Sequence, residues 1–415
     1  MDEKRKNALA ILQTYGQEHV LQFYNELNNA ERDALLEQII SIDFEKIFTL
    51  YEASKTDDVL KEDECISPIP ITDVSRLSSS QKDHYRTLSA DCIAGGHYAI
   101  VTMAGGQGSR LGFSGPKGTF EIETVPKKSL FELIAEQILS ANATYHAQIS
   151  WYIMTSSAND LATRQFFKQK KFFGLSPSHV TFFMQENLPV IDIQANLMLE
   201  ETYKIKMGSN GNGDVFRALH ENGLIEDMKR RQISWVMFGG IDNILFRYID
   251  PVFLGYVIDS GCKLGSKSMY KEKEEDWVFA KRNGRPTLIS THLLPTKLLE
   301  EKDSYGDALY GDVNILSHVF SIAALEQLAT VSFPYNRAFK RTTFVNEEGM
   351  KEVPAKPNSF KFENFIFDAF PHFENVAVLR VKSQEEFAPI KSFTGVHTPE
   401  TALELYMQYH EKKEG

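Results

Sequence analysis

Six glycines fall within residues 101–118, VTMAGGQGSRLGFSGPKG, a stretch whose only cations are Arg110 and Lys117. Glycine lets the backbone take positive φ and come close to a ligand, so consecutive amides can form a nest around phosphate oxygens. Ala104, Gly105, Gly106, Gln107 and Gly108 open this loop directly after a strand-like run and are candidate ligand contacts. The two cations can neutralise charge that the amides cannot, which points to phosphate binding. The spacing fits neither common phosphate motif. Leu111 stands where a dinucleotide fingerprint needs its third glycine, and no Gly-Lys-Ser/Thr closes a Walker-type loop. A Rossmann dehydrogenase is excluded on the same ground.

Other polar residues stand at expected strand ends. GGIDNIL places Asp242 and Asn243 after the apolar run WVMFGG. A carboxylate there suits Mg²⁺, a hard cation that takes oxygen ligands and leaves positions for substrate phosphates. Gly211-Asn212-Gly213 reads locally as a turn. Taken singly, Lys361 and Lys391 read as solvated charges, and Phe365 with Phe367 as core.

The elements that must position these residues have a legible order. Over the first ~65 residues, Leu9, Leu12, Val20, Leu21, Phe23, Tyr24 and Leu27, then Leu35, Leu36, Ile39 and Ile40, recur at helical spacing. Asn28 with Glu31 forms a capping box for a second helix, and Asp43 caps a third. SPIPITDVSR at 67–76 reads as an extended connector. Beyond residue 97, HYAIVTMAGG, QISWYIMTSS, HVTFFMQENLPVI and ISWVMFGGIDNIL are buried-strand runs separated by helical stretches. Such alternation predicts a mostly parallel α/β sheet with its site at the carboxyl ends of the strands. KLGSKSMYKEKEEDWVFAKRNGRPTLISTHL reads as hairpin strands joined at Asn283-Gly284, an antiparallel extension of that sheet. The tail HTPETALELYMQYHEKKEG reads as one helix. The expected division is an N-terminal helical region with connector over 1–75, a catalytic domain over 76–380 and a short C-terminal segment over 381–415.

The 415 residues carry 56 acidic and 45 basic side chains, a formal net charge of −11, at 42% hydrophobic and 24% charged. That length supports a real core without a disulfide or structural metal. Cys65, Cys92 and Cys262 fit no zinc spacing or disulfide framework, which predicts a reducing, cytoplasmic setting. No apolar stretch with a small-residue cleavage site follows the N-terminal charges, and no window approaches ~18 uninterrupted apolar residues, so neither a secretory signal nor a membrane span is expected. The acidic balance argues against nucleic acid as a partner, while leaving room for a local basic pocket.

GGQGSRLGFSGPKG as a whole resembles the signature loop of the eukaryotic-type UDP-sugar pyrophosphorylases, with Ser109 where that family usually has Thr. The resemblance implies a Rossmann-like, GT-A-like nucleotidyltransferase fold: a mixed, mostly parallel sheet flanked by helices. It implies that the loop wraps the UTP phosphates, with Arg110 and Lys117 as catalytic cations. MQENLP resembles the segment whose Gln, here Gln185, contacts uracil, although Glu186 follows where the family has Gly. GNGDVFRAL resembles the nucleotide- and sugar-binding turn, which would put Gly211, Asn212 and Gly213 at the ligand. By the same resemblance Asp242 holds Mg²⁺, Asn243 lies at the substrate and Asn314 of GDVNILSHVFS contacts a sugar hydroxyl. KPNSFKFENFIFDAFP and EEFAPIKS imply phosphate contacts for Lys361 and Lys391, with Phe365 and Phe367 lining the sugar pocket.

The resemblance runs from GQEHVLQFYNEL to about residue 395. RPTLISTHLL has no acidic residue where acetylhexosamine members usually carry Glu, and with about 25 residues following Lys391 the C-terminal β-domain of the larger members is not expected. Oligomeric state is left open. The implied partners are UTP and a sugar 1-phosphate, the implied cofactor Mg²⁺, and the favoured sugar N-acetylglucosamine 1-phosphate. Asn212 favours that sugar, since UDP-glucose enzymes more often have His there, whereas Asp214 is closer to the latter. Glucose, galactose and N-acetylgalactosamine 1-phosphates stay open. A non-catalytic nucleotide-sugar-binding protein on the same fold is the alternative, against which the set Arg110, Lys117, Asp242 and Lys391 argues.

Overall fold

The computed structural model describes residues 3–55, 60–61, 63–270 and 277–414. Two units divide the chain. The larger contains Val59–Gln185, Val215–Ser332 and Phe367–Gly415; the smaller contains Met1–Asp58, Glu186–Asp214 and Phe333–Ile366.

The larger unit is built on an eleven-stranded sheet: β1 Ile66–Ser67, β2 Ile71–Asp73, β3 Tyr98–Met103, β4 Ser150–Thr155, β5 Val180–Met184, β6 Trp235–Gly240, β7 Leu264–Tyr270, β8 Trp277–Arg282, β9 Arg285–Ser290, β10 Asp312–Ser321 and β11 Ala377–Arg380. The main path runs β2-β11-β7-β10-β6-β3-β4-β5, with β8 pairing β1, β9 and β10 off that path. Along the main path β10 is antiparallel to β7 and β6, and the other neighbours are parallel. This is the mixed, mostly parallel α/β sheet expected from the strand–helix alternation. Every residue of β3 and β4 is buried, which is why both read as continuous apolar runs. Beneath them Trp151, Phe131 and Phe167 make edge-on ring contacts at 4.9–6.2 Å.

The connectivity places the site. From β3 the chain goes outward through β4 and β5, then returns to β6 on the other side of β3. That reversal opens a crevice at the carboxyl ends of β3 and β6, the usual ligand position in open α/β sheets. The glycine-rich loop leaves β3 there, and Asp242 follows β6.

The smaller unit packs helices Glu3–Tyr15, Asn29–Ser41 and Phe44–Ala53 onto short strands. Leu12, Leu35, Ile39, Phe44 and Ile47 join Leu188, Ile191, Ile205 and Phe362 in one cluster. The capping box Asn28/Glu31 and the Asp43 cap form as the sequence predicts. Strand Ser359–Glu363 pairs with Asn336–Lys340 and with Ile191–Asp192.

Two expectations change. The helical spacing at 20–27 belongs to a single 3₁₀ turn, Glu18–Leu21, followed by turns. Gly16 at φ +65° ends the first helix, and the Gln17 side chain bonds the backbone of Ala195 and Leu197, so long-range contacts override local periodicity. The hairpin at Asn283-Gly284 joins β8 and β9 as expected, but β7 is an interior strand, not part of that extension. Its polar residues disguise it because each is satisfied inside: Ser266 by His318, Ser268 by Asp312 and Lys267 by two carboxylates. Residues 271–276 of that segment lie outside the described residues. The tail forms helix Pro399–Glu414, and no helix among the described residues is long and apolar enough to cross a membrane.

Candidate functional site

At the carboxyl end of β3 the chain folds back on itself. Gly108 N–H donates to the Gly115 carbonyl at 3.0 Å and Lys117 N–H to that of Gly106 at 3.2 Å, bringing Lys117 beside the start of its own loop. The first carbonyls are tied to the segment after β4. Ser156 Oγ donates to Gly105 O (2.8 Å), and Asn159 Nδ2 to Ala104 O (2.9 Å) and Gly106 O (3.2 Å). Gln107 Nε2 donates to Ala158 O at 2.8 Å. With their carbonyls held this way, the N–H groups of Gly105, Gly106 and Gln107 form no hydrogen bond among the described residues. Three consecutive free amides on a loop that also carries Arg110 and Lys117 are donors available to an anion.

Gly105 is closely approached by a side chain. A Cβ there would lie 2.6 Å from Nε2 of Gln185, which is itself 7% exposed and anchored by its N–H to Thr155 O at 3.0 Å. The loop and the Gln185 amide thus form one surface.

Across the crevice, Asp242 Oδ2 lies 3.6 Å from Lys117 Nζ. Burial holds the Lys117 ammonium below its ordinary value; Asp242 opposes that shift, and the nearby charges of Arg110 and Lys391 add to it. Lys117 thus has one carboxylate partner and two cations near enough to act on it, surroundings that favour the entry of further negative charge. Arg110 and Lys391 form no ion pair among the described residues. Asn243 takes a supporting place. Its Nδ2 donates to Glu386 O (2.7 Å), and its Oδ1 accepts from Ala388 N (2.8 Å) and Leu245 N (3.2 Å), tying down the segment that leads to Lys391. Asn314 Oδ1 accepts from Leu316 N at 2.8 Å, within a bulge of β10 where Leu316 takes φ +57°.

Other residues singled out by the sequence lie in the smaller unit. Gly211 has φ +97°, and Gly213 N–H donates to Asn364 O at 3.2 Å. Asn212 Oδ1 accepts from Ile366 N at 2.9 Å, so the turn is pinned to the chain after strand Ser359–Glu363. Lys361 lies on that strand with its stem over Gly208 and forms no ion pair among the described residues. Burial lowers its pKa, with Glu363 opposing. Phe365 falls in this unit, whereas Phe367 falls in the larger one, where its ring lies 5.8 Å from that of Trp277.

Sequence reasoning missed Ser156 and Asn159. Asn159 stands at the N-cap position of helix Asp160–Gln169, yet its side chain makes no capping bond and holds the loop instead. The polar run TSSAND signals a helix start, and nothing in it reveals the second task.

The low pKa of Lys117 has a measurable sign. Between its folded value and 10.5 the unfolded chain binds the extra proton, so stability should rise with pH across that window while phosphate binding weakens. We expect the affinity for inorganic triphosphate to fall on an alkaline limb centred below 10.5, and to do so at higher pH in Lys117→Arg. A limb left in place by that substitution would refute the assignment.

A model of the family described as UTP–glucose-1-phosphate uridylyltransferase matches residues 42–403. UDP-N-acetylglucosamine diphosphorylase 2 of Arabidopsis thaliana is 34% identical, over 96% of this chain and 82% of its own. The UDP-N-acetylglucosamine pyrophosphorylase of Saccharomyces cerevisiae is 33% identical, over 83% and 75% respectively. Among solved structures, the uridine diphosphate N-acetylglucosamine pyrophosphorylase of Trypanosoma brucei superposes with a TM-score of 0.80 at 25% identity, covering 99% of this chain and 86% of its own.

Proposed function

This chain belongs to the UTP–glucose-1-phosphate uridylyltransferase family, and from that membership we propose that it transfers the uridylyl group of UTP to N-acetylglucosamine 1-phosphate, releasing pyrophosphate. The observation that supports the chemistry is a loop whose amides at Gly105–Gln107 are free and which carries Lys117 and Arg110, with Lys391 close enough to act on Lys117. The sugar is supported by the names of the relatives at 33–34% identity.

A phosphate oxygen of the sugar 1-phosphate attacks the α-phosphorus of UTP in line, and the bond to the β-phosphate breaks. The nucleophile is already an anion, so no general base is needed. The protein must bring two polyanions together and stabilise charge on the α-phosphoryl oxygens and on departing pyrophosphate. The loop amides, Arg110 and Lys117 hold the triphosphate, and Lys391 meets the incoming phosphate. Gln185 reads the uracil and Asn314 contacts a sugar hydroxyl, with Phe367 as an apolar contact for the sugar.

Asp242 is the residue that would hold Mg²⁺. Among the described residues no group of three or more His, Cys, Asp or Glu side chains could cage a metal. A lone carboxylate fits an ion that keeps several waters and takes further ligands from substrate phosphates. When bound, it would supply neutralising charge to the triphosphate.

The test is pyrophosphate release by the full chain with UTP, Mg²⁺ and each of the 1-phosphates of N-acetylglucosamine, N-acetylgalactosamine, glucose and galactose. The highest kcat/KM is expected with N-acetylglucosamine 1-phosphate. A preference for glucose 1-phosphate would overturn the sugar assignment, and no release with any sugar despite UTP binding would overturn catalysis.

A further inference from the structure

Lys267 lies in the middle of β7 with its side chain fully buried. Its Nζ is 2.6 Å from Asp250 Oδ2 and is also paired with Glu386. Asp250 Oδ1 caps helix Pro251–Ser260 through the N–H groups of Val252 and Phe253 at 3.0 and 3.1 Å. Arg247 Nη1 lies 3.5 Å from Glu386 Oε1 and balances the second carboxylate. Two cations and two carboxylates thus meet where the Lys267 ammonium has no solvent. Such groups contribute little net stability, because desolvation offsets their attraction and apolar replacements are often neutral. What a fixed buried charge does supply is a defined place for the segment that carries its partner.

That segment is the one that bears Lys391. Glu386 is 5% exposed and Lys391, five residues later, is exposed. Between them the backbone is joined to the residues after β6 at every alternate step. Glu386 O accepts from Asn243 Nδ2, Ala388 N donates to Asn243 Oδ1, Ala388 O accepts from Ile244 N at 3.2 Å, and Ile390 N donates to Asp242 O at 2.8 Å. Asp242 and Lys391 therefore share one ladder whose inner end is the carboxylate of Glu386 on Lys267.

We propose that Glu386 and Lys267 are positioning residues of the transfer reaction: their buried ion pair holds the 386–391 segment in register with Asp242, so that the exposed Lys391 ammonium stays at the incoming phosphate. The proposal rests on the reading of Lys391 given above. Neither residue touches substrate; both act through Lys391.

The test is a double-mutant cycle on the full chain, read as kcat and KM for pyrophosphate release. Glu386→Gln is expected to lower kcat roughly tenfold or more, since small misplacements of a charge-stabilising group carry penalties of that order. KM for UTP should hardly change, because the glycine-rich loop and Lys117 are untouched. In a Lys391→Ala background the same substitution should cost nothing further, as expected of residues acting through one another. Glu386→Asp keeps the charge but withdraws the carboxylate, and it gives the same cycle if the Gln variant does not fold. An unchanged kcat in both Glu386 variants, or an equal loss in both backgrounds, overturns the positioning role. A wild-type kcat in Lys391→Ala overturns instead the assignment of Lys391 on which the proposal rests.

Discussion

Lys117→Ala should lower kcat by roughly 10²-fold or more, the scale set by removing one preorganised charge-stabilising donor from a water-poor site. The ammonium is 11% exposed, lies 3.6 Å from Asp242 and is held below its ordinary pKa by burial and by its neighbours Arg110 and Lys391. An environment that disfavours the charge in the free protein becomes favourable once a triphosphate enters, which is the condition for stabilising charge that develops during transfer. Folding should not suffer. A group whose folded pKa is depressed costs stability while it is charged, so the alanine variant should unfold at the same denaturant concentration as wild type or a higher one. Steady-state kinetics beside urea unfolding checks both halves. Near-native kcat would remove Lys117 from the mechanism, and a large stability loss would mean that it is structural.

Gly211→Ala should be the most damaging single methyl group in the smaller unit. At φ +97° an L side chain is strained, and its Cβ would stand 2.1 Å from Asn364 O and 2.6 Å from Asn364 N. Those are backbone atoms held by Asn364 N–H to Asn210 O and by Gly213 N–H to Asn364 O, so no side chain can swing aside. We expect a loss of about 2–4 kcal/mol, the sum of backbone strain and a forced shift. Hydrogen exchange locates it. Amides in 208–214 and 359–366 should exchange faster while β3 and β4 keep their protection. Because the three tryptophans, Trp151, Trp235 and Trp277, all lie in the larger unit, fluorescence alone is a poor reporter of this change. Unchanged exchange at 359–366 would show that the turn tolerates a side chain.

The parts of this molecule that could be read from its residues are those whose signal is local. β3, β4 and β6 are buried on both faces and so stand out as apolar runs, and the glycine-rich loop declares itself because a backbone that closely approaches a ligand favours residues without side chains. The caps at Asn28 and Asp43 depend on three neighbouring positions and form as written. What stayed hidden depends on partners far along the chain. Lys267 makes β7 look like a surface strand until Asp250 and Glu386 are seen around it. Asn159 looks like a helix cap, and Asn243 like a ligand contact, because the carbonyls and amides they hold are 53 to 145 residues away. The segment 20–27 shows the converse, with helical periodicity lost to contacts of Gln17 almost 180 residues distant.

The central claim is that the α-phosphoryl group of UTP passes to the sugar phosphate. It is tested most directly by supplying UTP labelled at the α-phosphorus together with N-acetylglucosamine 1-phosphate and Mg²⁺, then separating the products. The account requires the label in a nucleotide sugar, in amounts equal to the unlabelled pyrophosphate released, with both abolished together in Lys117→Ala. Label in free UMP, or bound UTP with neither product formed, would contradict it.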